Sequence, residues 1–252
     1  MLTKNINLKN FHLKKINKKV KQDLKKLLKE KSTILDSLST NYKNSYSKKN
    51  ILNSKNYKNI RVIGMGGSIL GTEAIFDFLR PKIKKSFEFI NNLETTKISR
   101  AKNNKSLNLI VSKSGNTLET ISNSNIFIKK NDKNIFITEN KTSYLFLLAK
   151  KLKAEIVQHN NFIGGRFSVL SEVGMLPAEL MGLNQKKFKQ LNNLIKNQKF
   201  INSLLINVSN TLFFLKKKKF NSIILNYDES SKNLFKWYQQ LIAESLGKKG
   251  NG

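Results

Sequence analysis

Between residues 59 and 157, short apolar runs alternate with stretches of helical spacing, and no other feature of the chain constrains its fold as tightly. The runs are Asn59–Gly64, Phe87–Ile90, Leu107–Val111, Asn134–Thr138 and the weaker Glu155–Val157. Between them, Leu70–Leu79, Thr95–Asn103, Thr117–Lys130 and Ser143–Lys151 carry helical spacing, and Pro81 stops the first of these. Strands that are apolar on both faces and separated by helices predict βαβ units, a parallel sheet and right-handed crossovers. The expected class is α/β, a doubly wound parallel sheet. In the strand order 2-1-3-4-5 the winding reverses between the first and third strands. Ligands bind at that point, outside the carboxyl ends of the strands.

The flanks read differently. Residues 1–50 form a polar, helical arm with a modest stripe of Leu24, Leu27, Leu28 and Leu35. Asn41–Asn56 reads as a linker or irregular arm. Residues 51–205 make the first α/β domain, with Glu172–Met181, Lys186–Asn197 and Asn202–Lys217 helical. Asn221–Asn226 reads as a buried strand and Lys232–Leu246 as a helix. Residues 206–252 are therefore expected to begin a second α/β domain, incomplete here, because one strand and one helix cannot cover both faces of a parallel sheet.

Composition narrows the function. Sixteen Phe and 39% hydrophobic residues are enough to fill a core. Zero cysteines exclude disulfides and thiol catalysis, and two histidines, His12 and His159, argue against a zinc centre. No run reaches the roughly 20 apolar residues of a membrane span, and no signal-peptide core follows Met1, so the expected location is the cytoplasm. The net charge of +31 invites a nucleic-acid partner. The lysines are spread through the chain, however, and the densest patch, Lys216–Lys219, follows an apolar helix whose C-terminus it complements. Nucleic acid is therefore expected to bind only non-specifically, and anionic sugar phosphates are attracted by the same charge.

Four motifs carry chemistry. Gly64-Met65-Gly66-Gly67-Ser68 follows the first strand, and its glycines let a backbone approach a ligand. It fits neither the dinucleotide fingerprint, since Ile69 stands at the third glycine, nor the P-loop. Ser112-Lys113-Ser114-Gly115-Asn116-Thr117 follows the third strand and offers hydroxyls at a helix N-terminus, a layout suited to phosphate. Taken alone, Thr117 reads first as a plain N-cap, and the neighbouring glycine turn shifts the reading towards a ligand. Both loops fall at the switch point. Ile163-Gly164-Gly165-Arg166-Phe167-Ser168 projects a cation that could steady an oxyanion or brace a helix entry. In Trp237–Lys248, Gln240 and Glu244 are four apart and share a helix face, which makes Glu244 a candidate general base or a solvated helix residue.

Taken in order, Gly66–Ser68, Ser112–Thr120, Gly-Gly-Arg-Phe-Ser and Gln-x3-Glu-Ser-x-Gly-Lys resemble the glucose-6-phosphate isomerase family from about residue 60 to residue 250. The resemblance implies two sugar-isomerase (SIS) domains, each an α/β/α sandwich, in a homodimer that needs no metal or cofactor. It implies a sugar-phosphate cradle of Gly67, Ser68, Ser112, Ser114 and Thr117 with Lys113 beside it. Gln240 becomes a substrate contact, Arg166 the arginine that steadies an enediolate, and Glu244 the base between C1 and C2 of glucose 6-phosphate and fructose 6-phosphate. Ser114 stands where the family has Thr, and Gly115 and Asn116 where it has an aromatic residue or Thr. The family's ring-opening histidine and C-terminal glutamine and lysine have no counterpart, so the chain is expected to be a truncated form, weak or inactive alone. The alternative is a SIS module that binds a sugar phosphate without catalysis.

Overall fold

The computed structural model describes residues 16–93, 106–129, 132–219 and 221–247. Five strands form one sheet: β1 (Asn59–Gly64), β2 (Ser86–Ile90), β3 (Leu107–Val111), β4 (Lys133–Thr138) and β5 (Glu155–Gln158). Every pairing is parallel, in the order β2-β1-β3-β4-β5, with Ile60 opposite Leu107 and Gly64 opposite Val111. The doubly wound expectation holds, and the winding reverses between β1 and β3. The expected helix at Thr95–Asn103 lies outside the described residues.

The helices are α1 (Lys18–Lys29), α2 (Thr33–Ser37), α3 (Lys48–Ser54), α4 (Leu70–Phe78), α5 (Leu118–Phe127), α6 (Tyr144–Lys151), α7 (Glu172–Leu180), α8 (Leu191–Leu194), α9 (Gln198–Lys216) and α10 (Lys232–Leu246). Side chains alternate across the sheet, so each strand feeds two cores. Ile60, Val62, Leu107, Leu109, Val111, Ile135 and Ile137 pack with Ile75 of α4 and with Val173 and Leu176 of α7. Ile63, Ile110 and Phe136 point the other way, onto Leu145 and Ala149 of α6 and Ile121 of α5. Arg61 on β1 is the buried charge of the sheet, beside the buried amides of Asn108 and Asn134. Its buried guanidinium donates from Nε to Glu88 at 2.9 Å and from Nη1 to Asn108 at 3.1 Å and the Phe127 carbonyl at 3.3 Å, so the charge is paired.

Three expectations need correction. Asn41–Asn56 is not wholly irregular. It contains α3, and Tyr46, Ile51 and Tyr57 pack against the larger core, a tertiary gain that the polar local sequence hides. Lys186–Asn197 is not one helix but a turn at Gln185–Lys187 followed by the four residues of α8. Between them Lys189 turns inward, donating to Asn44 Oδ1 at 3.2 Å with its ammonium 4.4 Å from the Tyr42 ring centre. Asn221–Asn226 forms no ladder and is not buried: Ile223 is 85% and Leu225 73% exposed. A parallel strand needs a neighbour at the right register, and among the described residues the sheet offers this segment none. Lys216–Lys219 is the solvated helix end the sequence suggested. No helix among the described residues is long and apolar enough to cross a membrane.

Candidate active site

Both switch-point loops leave the carboxyl ends of their strands. β1 runs into a tight turn at Gly66–Ser68, with Gly66 at φ +54°. β3 runs into Ser112–Thr117, with Gly115 at φ +67°. The Ser112 hydroxyl is almost fully buried. It accepts from the Gly115 N–H at 3.2 Å and lies 3.0 Å from the Thr117 hydroxyl. Ser114 Oγ accepts from the Asn116 N–H at 3.3 Å. Thr117 occupies the N-cap position of α5, yet its side chain makes no cap bond. Its oxygen is turned to Ser112, so the side chain does not use the orphan N–H groups of the first turn. Thr117 therefore does not act as a side-chain cap here.

Lys113 is placed differently from its neighbours. Its ammonium donates to the Asn161 carbonyl at 2.8 Å and lies 3.5 Å from Glu139, so it ties the β3 loop to the segment that leads into Gly164. The start of that segment is also pinned. Glu172, fully buried at the start of α7, accepts from the Asn160 N–H at 2.7 Å and from the Tyr42 hydroxyl at 3.1 Å. Lys189 supplies nearby positive charge, and burial pulls its pKa down to about 8 against the raising effects of Glu172 and Glu179.

The Arg166 loop meets the Gly66–Ser68 turn backbone to backbone. A Cβ built on Gly67 would stand 2.3 Å from the Gly165 carbonyl carbon and 2.6 Å from the Arg166 nitrogen. The Ser168 hydroxyl sits 2.7 Å from the Gly165 oxygen and 3.3 Å from the Gly67 oxygen, spanning the contact. α10 closes the third side. Its Gln240 amide nitrogen would be 3.0 Å from a Cβ on Gly66. Arg166 Nη1 donates to Glu244 Oε2 at 3.2 Å, and Gln240 Nε2 donates to Glu244 Oε1 at 2.7 Å. The Gln240 carbonyl oxygen is buried without a partner. The arginine is 29% and the glutamate 45% exposed, and an ion pair so open to water is worth about 0–1 kcal/mol. A ligand can therefore displace it at little cost.

Every sequence-predicted site residue lies in these loops or on α10: Gly67, Ser68, Ser112, Ser114, Thr117, Arg166, Gln240 and Glu244, with the Lys113 ammonium committed elsewhere. Two partners were not singled out from the sequence. Trp237 Nε1 donates to the Arg166 carbonyl at 3.1 Å, and Arg166 Nε donates to Ser245 Oγ at 3.2 Å. The available signal was spacing, since Trp237, Gln240 and Glu244 recur at helical intervals. Among the described residues no group of three or more His, Asp or Glu could hold a metal ion.

α10 reaches the site through a polar seam with α4. Glu73 is buried there and accepts from Asn91 Nδ2 at 2.9 Å, with Lys236 of α10 and Asp77 of α4 as its charged neighbours. Burial raises its pKa from 4.5 to about 7, opposed by Lys236 and aided by Asp77. The native state thus holds a proton between pH 4.5 and 7 that the unfolded state has released. This group therefore makes stability fall as pH rises through that window, by roughly 2 kcal/mol after allowance for partial hydration. Gln keeps an acceptor for Asn91. Glu73→Gln should match the native chain in urea unfolding at pH 4.5 and exceed it by roughly 2 kcal/mol at pH 8. A constant difference across pH would refute the assignment.

Residues 10–251 match the family model described as phosphoglucose isomerase. The chain belongs to the phosphoglucose isomerase family. It is 36% identical over 214 residues to a glucose-6-phosphate isomerase of Methanocaldococcus jannaschii, covering 78% of this chain and 52% of that one. To a glucose-6-phosphate isomerase of Mycoplasmopsis pulmonis it is 32% identical over 216 residues, covering 76% and 50%. The chain spans about half the length of these relatives. Among solved structures, a hypothetical protein from Thermus thermophilus superposes with a TM-score of 0.70 at 23% identity, covering 91% of this chain and 60% of that one. A glucose-6-phosphate isomerase from Chlamydia trachomatis gives 0.67 at 20% identity, covering 86% and 49%. At those identities the likeness concerns the fold.

Proposed function

We propose that this phosphoglucose isomerase-family chain forms the phosphate-binding and proton-transfer end of an aldose–ketose isomerase acting on glucose 6-phosphate and fructose 6-phosphate. The observation that carries the reading is the meeting of Arg166 and Glu244 at 3.2 Å beside the glycine turn, from two segments far apart in sequence. The hydroxyls of Ser68, Ser112, Ser114 and Thr117 and the first-turn N–H groups of α5 hold the phosphate, which places the sugar carbons for reaction. Glu244 removes the C2 proton of the open-chain aldose and returns it to C1. Arg166 leaves the carboxylate for the developing enediolate oxygens, and the partnerless Gln240 oxygen accepts a sugar hydroxyl. The setting is glycolysis and gluconeogenesis in the cytoplasm, with a homodimer as the assembly. Residues 206–252 open a second α/β domain, whose sheet would cover the exposed Asn221–Tyr227 segment.

Calorimetric titration with glucose 6-phosphate tests the phosphate end. Ser112→Ala and Thr117→Val should each weaken binding about tenfold, the loss from a hydrogen bond to a charged group. Undiminished affinity in both would sink the cradle. In a coupled isomerase assay the 252-residue chain alone should turn over weakly or not at all, and full turnover would overturn that expectation. A second reading, a SIS module that binds without catalysis, draws on the engagement of both Glu244 oxygens by Arg166 and Gln240.

A further inference from the structure

We propose that Trp237 and Ser245 are positioning residues for Arg166, one fixing its backbone and the other its guanidinium, so that Nη1 faces Glu244. This rests on the reading of Arg166 and Glu244 as the reacting end of the site. An arginine side chain has many rotamers, and a partly exposed one samples many of them unless held. Here it is held at each end. The Trp237 indole N–H donates to the Arg166 carbonyl at 3.1 Å, which sets where the side chain leaves the loop. The Ser245 hydroxyl accepts from Nε at 3.2 Å, which sets the rotation of the guanidinium plane. The plane also lies over the Phe167 ring, 4.6 Å from its centre. With Nε committed, Nη1 meets Glu244 Oε2 at 3.2 Å.

Both anchors other than Phe167 come from α10, the helix that also carries Gln240 and Glu244. Trp237 and Glu244 are seven residues apart, two helical turns, so they share a face, and Ser245 adjoins it. Trp237 also packs against the larger core and can carry the register of that core to the arginine. The bond goes to a backbone oxygen, so it does not depend on the arginine side chain and persists when the ion pair opens. When Arg166 turns from Glu244 to the enediolate oxygens, its backbone stays where the indole holds it.

Two readouts test this. The chain has a single Trp, so its indole N–H gives one unambiguous nitrogen-15 resonance, and the Arg166 Nε–H peak is identified by its loss in Arg166→Lys. In the native chain both protons should exchange slowly with solvent. Ser245→Ala should speed exchange of the Arg166 Nε–H at least tenfold while leaving the indole signal unmoved. The second readout compares glucose 6-phosphate with inorganic phosphate in calorimetry. Trp237→Phe and Ser245→Ala should weaken the sugar phosphate about five- to tenfold and leave inorganic phosphate within twofold, because only the sugar reaches Arg166. A merely structural role would lower both affinities together. Ser245 is exposed, so its alanine variant stays folded even if Trp237→Phe does not. Free solvent exchange of the Arg166 Nε–H in the native chain overturns the proposal, as does an unchanged affinity ratio when Arg166→Ala alters it. If Arg166→Ala also leaves the ratio unchanged, or the native chain binds neither ligand, the isomerase reading fails instead, and the exchange rates still decide whether the arginine is held.

Discussion

Glu244→Gln is expected to abolish proton transfer while sparing binding. A positioned carboxylate base is worth about a hundred- to ten-thousandfold, and an amide cannot accept the proton at all. The change is nearly isosteric: the oxygen facing Arg166 can remain, and Gln240 can reorient its amide. The measurement should isolate this step from ring opening. Fructose 6-phosphate incubated in heavy water serves, because its open-chain ketone loses a C1 proton to a nearby base and recovers a deuteron without ring opening being catalysed. The native chain should incorporate deuterium at C1 faster than buffer alone. Glu244→Gln should fall about a thousandfold or to the buffer rate, with affinity for the sugar phosphate kept within a few-fold. Incorporation that survives the substitution removes Glu244 as the base. A native chain that binds the sugar phosphate with no incorporation favours the non-catalytic module.

How much of this was legible in the sequence depends on whether the deciding interaction is local. The five strands announced themselves because parallel strands are buried on both faces and so mostly apolar, as Leu107–Val111 is apart from Asn108. The glycines at 66 and 67 and the hydroxyls at 112, 114 and 117 were legible because turn and anion chemistry depend on residue type. Thr117 shows the boundary. Residue type alone favoured the cap, and the 3.0 Å approach to Ser112 is a matter of loop geometry that composition does not record. Lys113 adjoins the hydroxyls in sequence, yet its ammonium reaches 48 positions along to Asn161, a distance no motif records. Asn221–Asn226 has strand propensity but finds no pairing partner among the described residues, and pairing is a property of two segments. α3 failed in the opposite direction, since the packing of Ile51 supplies what the polar sequence around it lacks.

Gly67→Ala is expected to cost a large share of stability, because the added methyl meets backbone rather than a side chain. The new carbon would stand 2.3 Å from the Gly165 carbonyl carbon and 2.6 Å from its oxygen and from the Arg166 nitrogen. Carbon atoms meet comfortably at about 3.5–4.0 Å, so more than an ångström of movement is needed. The obstacle is backbone, with no side-chain rotamer available to relieve it. The two loops that must separate are held by Ser168 below and by Trp237 on the Arg166 carbonyl. Overpacking of this kind costs about 3 kcal/mol, which urea unfolding should register as a lowered midpoint with unchanged slope. Gly66→Ala should cost less, about 1–2 kcal/mol, because its penalty is a backbone φ of +54° and its nearest neighbour is the end of the Gln240 side chain. The function should separate the two further. Displacing the Arg166 loop from the turn pulls Arg166 away from Glu244, so Gly67→Ala should lose sugar-phosphate affinity even under conditions where it remains folded. A Gly67→Ala chain with native stability and native affinity would mean that the turn and the Arg166 loop are not in backbone contact in solution.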